Sequence, residues 1–557
     1  MKNIAFALLA LCATLHTTVT SAQNPGDKRD MEIVAGFETF FNTYQVVNNM
    51  YVDTTQPKKL TEDAINAMLD ELDPYTEFIN EDAQKDFEFH TTGKYAGIGS
   101  TIVQKGKWVE IAEPYENTPA AKMGLKAGDR LMKIDTTSLE KMSTEAVSNM
   151  LKGDPKTSFA LTYIPIKDTN STKTITMQRE TIKVPAVQYS GMIDDSVGYI
   201  TLSSFTENSA EEVKNALIQL QKKPNFNALI LDLRGNTGGS VSESVDILSL
   251  FIPKNSVAVI LKGRAGKTMN TYRTKSEPIA PNLPLVVLTN SLSASASEIV
   301  AGALQDLDRA VIVGTRSFGK GLVQTTRDVG KNQTVKITIA KYYTPAGRCI
   351  QALDYKHRRE DGSVEHVPDS LKKEFKTSGG RLVYDGGGIK PDVKVEPQYW
   401  NKFTAIISAF GFIDDFANCY AAQNEPQPLK TFEVSEKTYL EFVKFMQNKT
   451  IKYKPQTLVA LEELEEKAKK DKYLDKIKPL IDSIKDKITD DKNKLLAIYK
   501  DDIKEALTSA IITRWHFRKG AIKYATKYNT DNTIKKAVAI LENKAEYKEL
   551  LTENHTK

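Results

Sequence analysis

Apolar residues recur at helical spacing near the start of the chain. One face of a helix would carry Phe37, Phe40, Phe41, Tyr44 and Val47. A second stretch, residues 64–72, has the same period, and Asp73-Pro74 predicts its end. The pattern predicts a helical region over residues 28–90 whose apolar stripe faces a core.

Residues 91–183 have a different pattern, with frequent glycines and short β-like runs. The pattern predicts a compact, mostly-β module with strands at 99–103, 108–112, 130–134, 159–163 and 174–177, and one helix at 143–151.

Residues 184–398 alternate strand and helix signals, which is typical of an α/β core. Strands are predicted at 197–203, 228–233, 285–289 and 310–314, and helices at 209–221, 239–251 and 294–304.

Residues 399–557 are helix-rich and heavily charged. Their run of Glu and Lys at 458–487 predicts solvated helix faces, and no catalytic constellation is evident there.

A serine-rich segment, residues 290–300, follows an apolar strand and opens a helix. A serine at such a turn is exposed, and the helix N-terminus can stabilise a developing oxyanion. The same segment also fits a purely structural role, with Ser293, Ser295 and Ser297 as candidate N-caps.

A nucleophilic serine needs a base, and no histidine lies in the glycine-rich α/β motifs. A lysine can take that role when its surroundings lower its pKa. The candidate is Lys320, where Gly319 and Gly321 permit close backbone approach and Phe318, Leu322 and Val323 can supply an apolar wall. An isolated lysine in a turn can equally be a solvated charge.

A glycine-rich turn, residues 231–240, ends another buried strand. Backbone N–H groups at Gly238 and Gly239 could bind an oxyanion, although such turns also bind phosphates. The segment matches neither a P-loop nor a GxGxxG pattern, which argues against nucleotide binding.

Together these segments resemble the C-terminal processing peptidases, also called tail-specific proteases, of serine peptidase family S41. The matching stretches are 197–205, 229–239, 287–306 and 313–324, within a similarity that covers roughly residues 30–398. The resemblance implies a multidomain α/β protein: a crotonase/ClpP-like protease core, an inserted PDZ domain, and helical N- and C-terminal regions.

The family motif implies a Ser/Lys dyad in which Ser295 is the nucleophile and Lys320 the general base. Gln324 would orient the lysine. The oxyanion donors would be the backbone of Gly238 or Gly239 and of Ala296. Glu298 and Asp306 match positions that serve as structural support.

The 91–183 module resembles a PDZ domain, which binds a C-terminal carboxylate and adds the peptide as a β-strand. Residues 119–129 look like its helix-turn. Its carboxylate-binding loop would be Tyr95, Ala96, Gly97, Ile98 and Gly99. A small β-domain used only for packing is the structural alternative.

The remaining composition narrows the function class. The net charge of +5, from 76 basic and 71 acidic residues, is dispersed, so nucleic acid is not an expected partner. Cys349 and Cys419 are far apart in sequence and give neither a disulfide framework nor a zinc spacing. A single disulfide between them is the alternative to the two free thiols that the spacing favours. Neither a metal nor a cofactor is expected.

Residues 1–22 read as a signal peptide that ends in a small-residue cleavage site. A buried N-terminal helix and a lipoprotein signal at Cys12 are the alternatives; Leu11 is bulky for the latter. No later stretch has the ~20 apolar residues that span a bilayer. The chain is therefore expected to be exported, with a periplasmic or cell-envelope location.

The predicted order is a signal peptide (1–22), a helical region (28–90), a PDZ domain (91–183), a protease core (184–398) and a helical region (399–557). The predicted function is an endopeptidase of exported, unfolded or tagged proteins that binds its substrates' C-termini. A homo-oligomer and a regulatory adaptor protein remain open. The rival functions are a non-enzymatic ligand-binding or scaffold protein and a different hydrolase, such as an acyl-thioester enzyme.

Overall fold

The computed structural model describes residues 25–81, 83–359, 363–397, 400–488, 490–527 and 531–552. The predicted signal peptide and Cys12 lie outside the described residues. The chain divides into two compact units, one up to Phe78 and one from Ile79 onward. Within the described ranges, no helix combines the length and the hydropathy that crossing a membrane requires.

The first unit consists of two helices, α1 (Pro25–Met50) and α2 (Pro57–Asp70), followed by the start of strand β1 (Glu77–Ile79). A proline at the first position favours the start of α2. The prediction that the apolar stripe faces a core is wrong, because Phe37, Phe40 and Phe41 are exposed in α1. Periodicity predicts which residues share a helix face, but it does not say what covers that face.

The second unit begins with α3 (Gln84–Thr92) and the β module. The module has a five-stranded antiparallel path in the order β3-β4-β5-β7-β8, with β6 on β5 and a separate β2–β9 pair. Its elements are β2 (Lys94–Gly97), β3 (Ser100–Lys105), β4 (Trp108–Pro114), α4 (Pro119–Lys122), β5 (Arg130–Ile134), β6 (Thr137–Ser138), α5 (Thr144–Leu151), β7 (Ser158–Ile164), β8 (Lys173–Gln178) and β9 (Glu180–Lys183). All five predicted strands and the helix are present.

A six-stranded sheet in the order β10-β11-β12-β15-β16-β23 forms the centre of the α/β core. All its neighbouring strands are parallel except β10 and β11. Its elements and the helices between them are β10 (Val187–Met192), β11 (Val197–Leu202), α6 (Ser209–Gln221), β12 (Ala228–Asp232), α7 (Val241–Leu248), β15 (Leu285–Thr289), α8 (Ala296–Asp306), β16 (Val311–Gly314) and β23 (Val393–Lys394).

A second, antiparallel sheet contains β13, β14, β17 and β18 and was not predicted from the sequence. Its strands mix polar with apolar residues because parts of them are exposed. Its strands are β13 (Val257–Lys262), β14 (Thr268–Arg273), β17 (Leu322–Gly330) and β18 (Gln333–Tyr343). Two small antiparallel pairs follow: β19 (Leu353–Arg358) with β20 (Val364–His366), and β21 (Glu374–Lys376) with β22 (Leu382–Tyr384).

The C-terminal part is helical, as predicted, with a core that includes Phe403, Phe416, Phe442 and Leu507. Its helices are α9 (Lys402–Ala409), α10 (Phe412–Gln423), α11 (Glu436–Met446), α12 (Gln456–Lys470), α13 (Leu474–Lys485), α14 (Lys492–Ile498), α15 (Lys500–Lys527), α16 (Asn532–Glu542) and α17 (Lys544–Thr552).

The last two helices belong to the layers of the α/β core. Ile534, Ala537 and Ile540 of α16 share a buried cluster with Ile230 and Val286 of the central sheet. Helices α6, α7 and α8 cover the opposite face of that sheet. Both faces of the parallel strands are therefore buried, which explains why β12 and β15 are almost continuously apolar.

Candidate active site

Three turns meet at the carboxyl ends of adjacent parallel strands. They are the glycine turn (residues 233–240) after β12, the serine turn (residues 290–295) after β15, and the lysine turn (residues 315–321) after β16. In the sheet Asp232 pairs with Leu288, and Thr289 pairs with Gly314. The three turns therefore start side by side, at the edge where α/β sheets bind their ligands.

The three candidate serines have different environments. Ser293 and Ser297 are fully buried, and their hydroxyls donate 2.8 Å hydrogen bonds to the carbonyls of Leu233 and Asn236. Both side chains thus fasten the serine segment to the glycine turn. Ser295 is partly exposed, so of the three serines it is the one whose side chain is not fully buried.

The backbone at Ser295 is held in an unusual conformation. Its φ of 56° and ψ of −114° lie in a region that L-residues rarely adopt, at a cost of about 1–3 kcal/mol. Ser295 occupies the N-cap position of α8, where the positive end of the helix dipole lies. Tyr342 on β18 donates from its hydroxyl to the Ser295 carbonyl at 3.1 Å and supports this conformation.

The carboxyl group of Glu298 joins the serine turn to the lysine turn. One oxygen accepts from the Ser317 hydroxyl at 2.6 Å and the Gly319 N–H at 2.7 Å. The other accepts from the N–H groups of Ser295 and Lys320, both at 2.9 Å. The side chain is completely buried, and burial raises the pKa of Glu298 to about 7, although its hydrogen-bond donors oppose that rise.

The glycine turn is in direct contact with the serine turn. A Cβ at Gly238 would lie 2.7 Å from the Ser295 Cβ and 3.0 Å from the Ala296 nitrogen. The Gly238 N–H donates to the Asn236 side chain at 2.9 Å. The N–H groups of Gly239 and Ala296 have no acceptor within the part of the chain that the structure describes, so they can receive an oxyanion.

Of the other residues predicted for the protease site, one lies next to the lysine turn and the other lies away from the three turns. Gln324 is on β17, directly beyond the lysine turn, where its amide donates to the Thr338 hydroxyl at 3.0 Å. Asp306 is at the far end of α8 and forms a buried ion pair with Arg348, with a 2.6 Å contact. It supports the fold away from the three turns.

The environment of the lysine turn partly differs from the expectation. Leu322 is buried, but Phe318 is 46% exposed and does not form the expected wall. The two glycines do permit close approach, because a Cβ at Gly319 would lie 2.4 Å from the Ala352 Cβ and one at Gly321 would lie 2.8 Å from a backbone nitrogen. The turn is therefore packed closely against the neighbouring residues Gln351 and Ala352.

A second candidate site lies in the β module, between β3 and α5. A cavity of about 140 Å³ is lined there by Ile98, Ser100, Ile102, Leu151 and further residues of α3, α5, β2 and the segment after β4. Of the predicted carboxylate loop, Tyr95, Ala96 and Gly97 belong to strand β2, whereas Ile98 and Gly99 form the turn into β3. The turn is therefore the part of the predicted loop whose N–H groups do not belong to the β2–β9 pair.

Polar groups converge at this turn. The Ser100 hydroxyl oxygen is buried without a hydrogen-bond partner among the described residues. The N–H groups of Gly99 and Ser100 approach the Tyr95 hydroxyl, and burial raises the pKa of that hydroxyl above its usual value. A small anionic group such as a carboxylate would give these donors a stronger acceptor.

Two residues that support the site were not found from the sequence. Asn236 is fully buried, and its amide donates to the Leu202 carbonyl at 2.8 Å while its backbone carbonyl accepts from Ala294 at 3.0 Å. An asparagine inside a glycine-rich turn was a usable signal for such a role. Tyr342 lies in an alternating strand, where no local pattern distinguishes it.

The described residues contain no cluster of three or more His, Cys, Asp or Glu side chains arranged to hold a metal ion. Cys349 and Cys419 are both free thiols.

Gly238 tests the contact between the glycine and serine turns. We expect Gly238→Ala to lower peptidase activity by on the order of a hundredfold or more, because its Cβ would displace Ser295. Gly235→Ala is the matched control: its φ of +73° is also positive, but its Cβ meets nothing within 4 Å. The control should lose only about 1–2 kcal/mol of stability. Equal activity of the two variants would contradict the prediction.

The raised pKa of Glu298 should make the free energy of unfolding depend on pH. Its folded-state pKa of about 7 lies above the ordinary 4.5, so the folded protein binds this proton more tightly than the unfolded chain. The resulting stabilisation is complete below pH 4.5 and is lost as the pH rises through about 7. Between pH 4.5 and 8, wild type should lose about 3 kcal/mol relative to Glu298→Gln in urea unfolding. A difference that does not change with pH would refute this.

Sequence comparisons identify known relatives of each part of the chain. Residues 196–356 match peptidase family S41, and residues 110–164 match a PDZ domain. Residues 403–541 match the C-terminal helical domain of a probable PDZ-protease, and residues 5–83 match the N-terminal domain of the activating protease CtpB.

Two curated relatives are more than 30% identical to this chain. A carboxy-terminal-processing protease of Bartonella bacilliformis is 33% identical over 338 residues, which cover 60% of this chain and 77% of that protein. A probable CtpA-like serine protease of Staphylococcus epidermidis is 32% identical over 346 residues, covering 62% and 68%. The solved photosystem II D1 C-terminal processing protease is 27% identical, covers 64% of this chain and 92% of its own, and overlays with a TM-score of 0.35. The chain therefore belongs to peptidase family S41, among the carboxy-terminal-processing proteases, as a serine-type peptidase with an α/β core, a PDZ domain and a helical C-terminal region.

Proposed function

We propose that this peptidase is an endopeptidase with a Ser295/Lys320 dyad, which cleaves exported proteins that are unfolded or tagged after its PDZ domain has bound their C-termini. One observation carries the assignment of the dyad. A single buried carboxyl group, that of Glu298, accepts hydrogen bonds from the backbone N–H groups of both Ser295 and Lys320.

The serine turn supports the role of Ser295 as the nucleophile. Its hydroxyl would attack the scissile carbonyl, and an acyl-enzyme would form and then be released by water. The negative charge on the tetrahedral intermediate would be stabilised by the Ala296 N–H together with that of Gly238 or Gly239. Of the two glycines, Gly239 is favoured, because the Gly238 N–H already donates to Asn236.

Lys320 would remove the proton from Ser295 and later activate the water. The glycine, serine and lysine turns contain no histidine that could take this role. Gln324, four residues beyond Lys320 on β17, is the candidate for orienting its amine. The α8 terminus adds a fixed positive potential beside Ser295, which favours a developing anion.

The β3–α5 cavity supports recognition of C-terminal tails. It combines the apolar side chains of Ile98, Ile102 and Leu151 with the hydroxyl of Ser100, which has no hydrogen-bond partner in the part of the chain that the structure describes. A peptide that adds to β3 as a further strand would place its last side chain in this cavity and its carboxylate at the turn of Gly99. Export, in turn, rests on the signal-peptide pattern of residues 1–22.

Substitution of the dyad tests the mechanism. Ser295→Ala and Lys320→Arg should both abolish cleavage of casein while the proteins remain folded, because arginine stays protonated and cannot act as a base. Lys341→Arg, at an exposed lysine on the neighbouring strand β18, is the matched control and should keep full activity. Substantial activity of Lys320→Arg would rule out its role as the base, and activity of Ser295→Ala would rule out the nucleophile.

Tail recognition requires a separate measurement. Amidation of an unfolded reporter's C-terminus removes the charge that the PDZ turn would bind. We expect kcat/KM to fall by roughly tenfold to a hundredfold, the equivalent of one charge-assisted hydrogen bond of about 1.5–3 kcal/mol. The control is the same reporter with a free carboxylate, assayed at sub-saturating concentration. Identical rates for the two reporters would exclude recognition of the terminal carboxylate.

A further inference from the structure

The C-terminal helices are joined to the glycine turn by an ion pair. Arg234, the second residue of that turn, donates from Nη1 to Asp531 Oδ2 at 2.7 Å. The two residues are 297 positions apart in sequence. Both side chains are largely buried, with 22% and 26% of their surface exposed. Partial burial means that solvent and salt screen this pair less than they screen an exposed salt bridge.

Arg234 is held on its other side by the strand that carries the turn. Its Nε and Nη2 donate to the carboxylate of Asp232, with a closest distance of 2.6 Å. Asp232 ends β12 and also accepts from the Tyr199 hydroxyl at 2.7 Å. The guanidinium therefore lies between a carboxylate of the central sheet and a carboxylate of the C-terminal helices.

The position of Arg234 affects both neighbouring turns. The next residue, Gly235, donates its N–H to the Asn290 side chain at 3.0 Å, which joins the glycine turn to the start of the serine turn. Asn236, which directly follows Gly235, accepts the Gly238 N–H with its side-chain oxygen. A displacement of Arg234 would move the backbone that carries the candidate oxyanion donors.

Asp531 is itself firmly placed. Its Oδ1 caps helix α16 by accepting from the N–H groups of Thr533 and Ile534 at 2.8 and 3.1 Å. The helix is anchored on the central sheet by Ile534 and Ile540, which are fully buried. The two oxygens of Asp531 thus do different things: one holds the helix start, and the other holds Arg234.

We propose that Asp531 is a positioning residue for the reaction: through Arg234 it sets the geometry of the glycine turn, so that the C-terminal helical region completes the active site. This inference rests on the proposed function, since it assumes that the glycine turn binds the oxyanion beside Ser295. It gives residues 399–557 a role in catalysis that does not require contact with the substrate.

The physical reason is the balance of charges around the guanidinium. Without Asp531, Arg234 would keep only Asp232 and would gain freedom to turn toward solvent. The glycine turn would then lose one of its anchors while Ser295, Glu298 and Lys320 kept theirs. Displacement of an oxyanion donor by about 1 Å is enough to cost on the order of a hundredfold in rate.

The two functions of Asp531 can be separated by substitution. Asp531→Asn keeps an oxygen that accepts from Thr533 and Ile534, but it replaces the anionic partner of Arg234 with a neutral amide. We expect kcat on an unfolded reporter to fall by on the order of tenfold to a hundredfold, with KM changed less than about twofold. Asp531→Ser, which also caps a helix without charge, should give the same result if the asparagine variant folds poorly.

The matched control is Glu546→Gln. Glu546 pairs with Lys536 at 2.9 Å between α16 and α17, and its other hydrogen bonds among the described residues are with Asn543. This variant breaks a partly buried ion pair of the same helices, so it should keep the wild-type kcat. Thermal unfolding of all variants reports any general loss of structure.

A transition-state analogue distinguishes positioning from general stability. A peptide boronic acid, with a sequence taken from a casein site that the enzyme cleaves, forms a tetrahedral adduct with a serine hydroxyl; the matching peptide amide does not. Asp531→Asn should weaken binding of the boronic acid by the same factor by which kcat falls, and binding of the amide should not change.

Three results would overturn the inference: a wild-type kcat in Asp531→Asn and Asp531→Ser, an equal loss of kcat in Glu546→Gln, or an equal loss of affinity for both peptides.

Ser295→Ala, assayed in parallel, separates this inference from the proposed function. If Ser295→Ala is inactive and Asp531→Asn is fully active, only the role of Asp531 fails. If Ser295→Ala is fully active, the proposed function fails, and the role of Asp531 fails with it.

Discussion

The buried carboxyl group of Glu298 is the interaction on which the geometry of the site depends. Strand pairing brings the serine and lysine turns into the same region, but it does not define their distance or orientation. The carboxyl group of Glu298 defines both, because each of its two oxygens accepts two hydrogen bonds from these turns. A carboxyl group without these partners would be costly to bury, so the two turns and Glu298 stabilise one another.

Polar contacts at both ends also allow α8 to be entirely buried. Its first residue follows Ser295, its third carries the bridging carboxylate, and its last, Asp306, pairs with Arg348. Both ends of the helix are thus fixed by polar contacts, while its middle packs on the sheet through Ile299 and Val300. A helix fixed in this way can hold the strained backbone of Ser295, which an isolated turn would release.

Local patterns were enough to predict the elements of the β module and most of the strands and helices of the central α/β sheet. Helix α6 and strand β15 have the predicted bounds, since burial on one or both faces leaves a clear periodicity. The partners of those elements could not be predicted in the same way. Asn236, Tyr342 and Asp531 act through contacts with residues distant in sequence, which no local pattern encodes. For α1 the opposite holds: the helix itself was predicted correctly, but its apolar stripe is exposed and not buried as predicted.

The C-terminal region shows why a charge-rich sequence should not be treated as one unit. Helices α12 and α13 carry the Glu and Lys run on exposed faces, as their composition predicts. Helix α16 comes later in the same region, yet Ala537 and Ile540 are buried against the central sheet. A sheet with parallel strands needs cover on both faces, and the last two helices supply much of that cover on the second face. Because the cover begins at Asp531, beside Arg234, the layer that completes the core also reaches the turn where the oxyanion is expected.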